Sequence, residues 1–297
     1  MGGWKWGGMA AAMLAMAGTG AQAAESGACA LVQSAAADAL FSIPFRTVDG
    51  RIYIEARVDG QGPFVFAVDT GASGMARADA RLVARLGLPV HGSGETSDGV
   101  ASARVDTVHL ASLDLAGLVR RDLEVITRDY ASRLSAEAGF DGIVGRDFFG
   151  DGLLIIDYPS RMLRFTRKAG LARGAPGVLA YERAFRVPAT IGGIAAEANL
   201  DTGANVAFVL PKALFDRVGG GPVAAASEGR LTNSTVDTRR AMVAGPFRIG
   251  GAELSNVEVR VSENYPELLA GAHALQHFAL LIDQRTKAVA LCPPEAD

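Results

Sequence analysis

The chain has 297 residues and a formal net charge of −3, with 29 lysines and arginines against 32 aspartates and glutamates, so no basic field draws in nucleic acid or an anionic membrane surface. Two cysteines alone do not make a zinc site; an even pair in an exported chain ordinarily joins, here as a Cys29–Cys292 disulfide. The length suits two lobes of common domain size or one large domain with a well-developed core.

At the N-terminus, Lys5 precedes the apolar run Met9 to Ala17 and the small-residue site Ala21-Gln22-Ala23, the pattern of a signal peptide over residues 1–23. An apolar run of about ten residues falls short of the roughly twenty that a spanning helix needs, so cleavage and a periplasmic or secreted destination are expected, with a retained anchor as the alternative. Lipidation of Cys29 is disfavoured, because Ser26-Gly27-Ala28 lacks the usual leucine and lies well past the apolar run. Residues 24–42 then form an N-terminal segment.

From Arg51 to Val58, Ile52, Ile54, Ala56 and Val58 alternate with other residues at the period of a half-buried strand. Asp59 to Pro63 turns the chain, and Phe64-Val65-Phe66-Ala67-Val68, too short for a helix, reads as a strand buried on both faces that delivers Asp69-Thr70-Gly71-Ala72. Leu82, Val83 and Leu86 follow at helical spacing, then strand-like stretches over 108–118, then Gly142-Ile143-Val144-Gly145, Ile155-Ile156-Asp157 and Met162 to Phe165. Lys168 to Gly177, rich in Gly, Ala and Pro, marks a linker, placed at 168–180 between a first lobe at 43–167 and a second at 181–297. There the pattern returns. Phe185, Val187, Ala189 and Ile191 alternate, and Ala195 to Leu200 delivers Asp201-Thr202-Gly203-Ala204, 132 residues after the first copy. Leu214, Phe215 and Val218 repeat the helix, and Leu268 to Gly271, Leu281-Ile282-Asp283 and Ala288 to Leu291 repeat the closing elements 126 residues on. Alternating strands alone would suit any β protein; the same tetrapeptide at the same place in two copies does not arise that way.

A lone Asp-Thr-Gly after a strand reads as an Asx turn. Two of them supply paired carboxylates, which hold one proton between them because like charges so close do not both ionise. Such a pair takes a proton from a bound water while its protonated member donates to a carbonyl oxygen, which is what peptide hydrolysis near neutral pH requires. Asp69 and Asp201 are the candidate catalytic residues. Thr70 and Thr202 carry hydroxyls able to tie the two loops together; Gly71 and Gly203 let backbone approach the carboxylates without a Cβ. Ala72 and Ala204 complete the loops.

Each half resembles the retropepsin-like aspartic peptidases over roughly residues 43 to 292, as though a retroviral homodimer had been fused into one chain. The matching residues are Asp69-Thr70-Gly71-Ala72 with Ile143-Val144-Gly145-Arg146-Asp147, and Asp201-Thr202-Gly203-Ala204 with Leu269-Ala270-Gly271. The resemblance implies an all-β fold of two homologous β-barrel lobes, each with a short helix, and an active site in the cleft between them. It also implies endopeptidase activity on an extended polypeptide without cofactor or metal, and flaps closing over the cleft. By position the first flap falls near Gly94 to Ala101, with Ser97-Asp98-Gly99 at its tip, and the second near Gly229 to Thr235. Ser73 and Asn205 stand where retroviral members carry a further aspartate, which makes them candidate peptide contacts with Ser97, Asp98 and Gly99 and leaves Arg146 without its usual partner. In the second copy Ala272-His273 replaces Arg-Asp.

His273 and His277 have the spacing of zinc ligands on a helix, but Ala274 stands where a metallopeptidase has its glutamate, so a surface or half-buried pair is expected. Ser73 misses the second glycine of a nucleophile elbow, and Gly219-Gly220-Gly221 lacks the lysine of a phosphate loop. The expectation is a monomeric aspartic endopeptidase with a polypeptide substrate and no nucleic-acid partner. The alternatives are a non-catalytic peptide-binding protein on the same fold, and a zymogen whose residues 24–42 cover the cleft.

Overall fold

A computed structural model describes Met1, residues 27–130, residue 132 and residues 134–294. The expected signal peptide, but for Met1, lies outside the described residues. Among them no helix is long and apolar enough to cross a membrane.

The described strands form three sheets. In the first lobe, the apolar strand Gln61–Asp69 pairs antiparallel with Arg51–Val58 and parallel with Gly142–Gly145, placing Asp69 beside Gly145. Arg51–Val58 also pairs with the long strand Ser102–Leu115, which curls the sheet towards a barrel. In the second lobe Ile194–Asp201 pairs with Arg186–Ile191 and, in parallel, with Leu268–Gly271, placing Asp201 beside Gly271. Gly142–Gly145 and Leu268–Gly271, enclosed between neighbours, are buried at every position, whereas Ile194–Asp201 keeps Ala195 and Glu197 exposed and is buried only at Ala198 and Leu200. The expected helices span Ala80–Leu86 and Lys212–Val218, and Leu82 and Phe215 are their buried residues.

The third sheet joins the lobes. Its central pair is Leu153–Asp157 against Ala279–Asp283, antiparallel, with Ile155 facing Leu281. These two residues are counterparts in the repeat, so the local two-fold axis passes between them. Leu154, Ile156, Leu280 and Ile282 point into one apolar core continuous through both lobes. Leu153, Ile155 and Leu281 point to the opposite face.

That opposite face is where the N-terminal segment goes. Leu31–Ser34 and Ala35–Asp38 form two short helical turns, Ala28 and Ala35 pack with Leu153, Ile155 and Leu281, and Phe41–Pro44 adds a strand beside Met162–Thr166. Cys29 is bonded to Cys292, whose strand belongs to the same sheet. The described part of residues 24–42 therefore does not cover the cleft, which corrects the zymogen alternative. The outer face of the joining sheet, with Leu153, Ile155 and Leu281, is apolar and takes these alanines out of water.

The disulfide closes a loop spanning most of the chain, so its loss should act mainly through the unfolded state. Cys29→Ser/Cys292→Ser is expected to lower unfolding free energy by about 2–4 kcal/mol, read as a lower denaturant midpoint, and to open residues 27–40 to protease. An unchanged midpoint would show that the staple contributes nothing.

Candidate active site

The two Asp-Thr-Gly-Ala loops meet at the lobe boundary and grip each other through their threonines. The Thr70 amide donates to Thr202 Oγ1 at 3.1 Å, and the Thr202 amide to Thr70 Oγ1 at 3.0 Å. Each hydroxyl then donates across the boundary, Thr70 Oγ1 to the Leu200 carbonyl and Thr202 Oγ1 to the Val68 carbonyl, both at 3.0 Å. Both threonines are buried, so all four bonds are shielded from water.

This grip sets the carboxylates face to face. Asp69 Oδ1 accepts from the Gly71 amide at 2.8 Å and the Ala72 amide at 3.0 Å, and Asp201 Oδ1 accepts from the Gly203 amide at 2.8 Å. Each carboxylate also lies over the other loop's glycine. A Cβ on Gly71 would stand 2.5 Å from Asp201 Oδ2, and one on Gly203 would stand 2.4 Å from Asp69 Cγ. No side chain fits at either position. Burial, then the neighbouring Asp69 charge, push the Asp201 carboxyl well above the usual carboxylate range, against the opposing Gly203 amide and the Arg51 charge.

The surroundings depart from two-fold symmetry. Arg51 Nε reaches across from the first lobe to the Gly203 carbonyl at 2.7 Å, whereas the Gly71 carbonyl takes a bond from Arg146, of its own lobe, at 3.2 Å. Arg146 thus has a backbone partner in place of the missing aspartate. Asn205 accepts from Arg51 at 3.1 Å and donates to Asp49 at 2.5 Å. His273 Nε2 lies 2.9 Å from Asp49 Oδ1, so the Ala272-His273 departure in the second copy is matched by an aspartate from the first. The Asn205 bond, opposed by burial and helped by His273, holds Asp49 below its ordinary value. Ser73 is exposed, His273 half-buried and His277 exposed, and among the described residues no group of three or more His, Cys, Asp or Glu is placed to hold a metal ion.

Each lobe also carries a projecting hairpin. The first joins Val90–Ser97 to Ser102–Leu115 through Asp98-Gly99-Val100-Ala101, one residue beyond the expected tip; the second joins Ala226–Arg230 to Thr235–Val243. Their tips touch. Asp98 Oδ1 accepts from the Val100 and Ala101 amides at 3.0 and 2.8 Å, closing its own turn. Asp98 Oδ2 accepts from the Asn233 amide at 2.7 Å and the Ser234 hydroxyl at 2.9 Å. Asn233 Nδ2 donates back to the Thr96 and Ala101 carbonyls, both at 2.9 Å, and Arg128 bonds Asn233 Oδ1. The side chains of Asp98 and Asn205 are therefore engaged between lobes, while Ser97 caps the Gly99 amide at 3.2 Å. Arg51 and Asp49 are not singled out by sequence, His273 reads there only as one of a surface or half-buried pair, and Asn233 falls within the expected second flap without a role of its own.

Thr70→Ala is expected to cost about 2–4 kcal/mol, because it strands the buried Thr202 amide and Leu200 carbonyl without partners, whereas Thr70→Ser should stay close to the parent. Denaturant unfolding of both variants checks this; equal midpoints for Ala and Ser would refute the grip.

A family model described as aspartyl protease matches residues 54–148 and again residues 187–276. A search of curated proteins returned no match. Each matched stretch contains one of the two aspartate loops and one of the parallel-paired glycine strands, and together they cover more than half of the sequence: the chain belongs to the retropepsin-like aspartyl proteases, with the family unit present twice.

Proposed function

We propose that the chain is an aspartic endopeptidase in which Asp69 and Asp201 share a proton and activate one water against a peptide bond. The observation that carries this reading is the mutual approach of the carboxylates, each seated on the opposite loop's glycine. With one proton between them, the ionised member accepts a proton from the attacking water. The protonated member donates to the carbonyl oxygen and stabilises the developing oxyanion. Burying two carboxylates together costs stability that a binding protein without chemistry has no need to spend, which favours catalysis over the peptide-binding alternative. The extended substrate would lie as an added strand beneath the paired hairpins. Both aspartates are in one chain, so the active species is a monomer, and the Cys29–Cys292 bond suits a periplasmic or secreted setting.

Asp69→Asn and Asp201→Asn should each lower kcat by at least about a thousandfold with the unfolding midpoint preserved or raised, and mixing the two variants should restore nothing. Cleavage of denatured protein by either variant would exclude the pair.

The pH dependence follows from the raised Asp201 carboxyl. In the unfolded chain an aspartate loses its proton near pH 4, but the folded pair retains one to higher pH. Stability contributed by that proton is full in acid and falls as pH rises through the folded value. The rate should fall on the same limb as the pair loses its last proton. Ala72→Ser/Ala204→Ser, which adds hydroxyls able to stabilise the ionised form, should move the rate profile downward in pH; an unmoved profile would count against this account.

A further inference from the structure

Beside Asp69, on the same face of the first-lobe sheet, the structure holds a buried cation that the proposed chemistry does not use. Ala67, two residues before Asp69 and so on its side of the strand, pairs with Ile143, and Ile143 pairs with Arg77 on the next strand, Ala76–Asp79. Ala67, Ile143, Ala72, Tyr53 and Phe140 form a small apolar cluster on this face, against which Tyr130 packs. Arg77 extends the row and is 7% exposed. Its Nε has no hydrogen-bond partner, and the Tyr130 hydroxyl lies beside the guanidinium. No carboxylate among the described residues forms an ion pair with Arg77. The buried Asp79, two residues on, is engaged by the Arg81 side chain at 3.0 Å and by the Tyr130 amide at 2.9 Å. The next residue across the sheet is Ile126, and the first hairpin passes over it: a Cβ on Gly94 would stand 3.5 Å from Ile126 Cγ2.

A guanidinium taken out of water without an anion is costly, and that cost is offset only when an anion arrives. The position therefore selects for a ligand. Its counterpart in the second lobe, 132 residues on, is Val209, in the same register opposite Leu269. The arginine there stands one strand further out, at Arg260, and donates to Ser227 of the second hairpin at 3.1 Å.

We propose that Arg77, with the Tyr130 hydroxyl, forms a subsite beside Asp69 that receives a carboxylate of the bound peptide, while the matching subsite beside Asp201 is apolar at Val209. The inference rests on the peptidase reading. The carboxylate is either a glutamate or aspartate side chain or the peptide's own C-terminus. A planar guanidinium binds both in the same way, through paired N–H donors.

The test has two arms. In the first, the full chain digests a peptide mixture prepared from a denatured proteome, and the residues flanking each cut are counted. Acidic residues should be enriched at one position on one side of the cut only. Arg77→Met should reduce the acid-to-amide ratio there by about ten- to a hundredfold, the range that a charge-assisted hydrogen bond supplies, Arg77→Lys should keep part of it, and Tyr130→Phe should lower it less. No acidic enrichment by the parent chain, or enrichment that survives Arg77→Met, overturns the proposal.

The second arm does not need cleavage. Binding to the Asp201→Asn chain is measured by fluorescence anisotropy for decapeptides that are end-blocked with an internal Glu, end-blocked with Gln, or Gln-containing with a free C-terminus. Tighter binding of either carboxylate-bearing peptide, lost in Asp201→Asn/Arg77→Met, supports the subsite and identifies the carboxylate's source. Equal binding of all three overturns it. If the parent chain cuts nothing, the peptidase reading fails on the first arm while the second still decides the subsite.

Discussion

Four buried hydrogen bonds that Thr70 and Thr202 make across the lobe boundary, two to each other and two to the Leu200 and Val68 carbonyls, are the constraint on which the rest depends. Two carboxylates repel as they approach, and in this chain they are carried by separate lobes that would relax apart if only apolar packing held them. Directional bonds resist that where packing does not. Each threonine both accepts from the opposite loop's amide and donates to the strand that delivers the opposite aspartate, so neither loop moves without breaking bonds in both lobes. The apolar strands behind them and the joining sheet below act as the rigid mounting. Leu154 and Ile282 of that sheet and Phe185 of the second lobe lie directly beneath Asp69 and Thr70.

Around this symmetric centre the supports are unequal. Both loop glycines have their carbonyl held by an arginine, but Arg146 belongs to the same lobe as its target and Arg51 to the opposite one. The same structural need is met from two unrelated places in the sequence. Duplication explains the shared frame, and independent change in each copy explains how Asn205, Asp49 and His273 came to form one contact that has no equivalent on the other side.

What the sequence disclosed was whatever is local or repeated. The apolar strands before Asp69 and Asp201, the helices with Leu82 and Phe215, and the closing Gly-Ile-Val-Gly and Leu-Leu-Ala-Gly strands are contiguous patterns, and their recurrence at fixed offsets marked them as one unit used twice. The first hairpin was placed to within one residue because Asp98-Gly99 is itself a turn signal. Arg51 was not legible, since it meets Gly203 across 152 residues and looks locally like the polar start of a strand. Asn233 joins Asp98 across 135 residues in a stretch with no periodicity. The destination of the N-terminal segment was equally hidden. Its few alanines carry no directional pattern, and only the folded joining sheet shows which face had room for them.

The unequal lobes also bear on how a chain is read. A polypeptide has a direction, from amino to carboxyl end, but a cleft with a true two-fold axis presents the same surface to a strand and to that strand reversed. With Arg77 on one side and Val209 on the other, and with only the second lobe's loop clasped by Asp49 and Arg51, the reversed strand meets a different surface. Fusing the halves made that possible, because in a homodimer every substitution appears on both sides at once. If the proposed peptide site holds, the single chain would distinguish the two orientations of a peptide, and hence a sequence from its reverse.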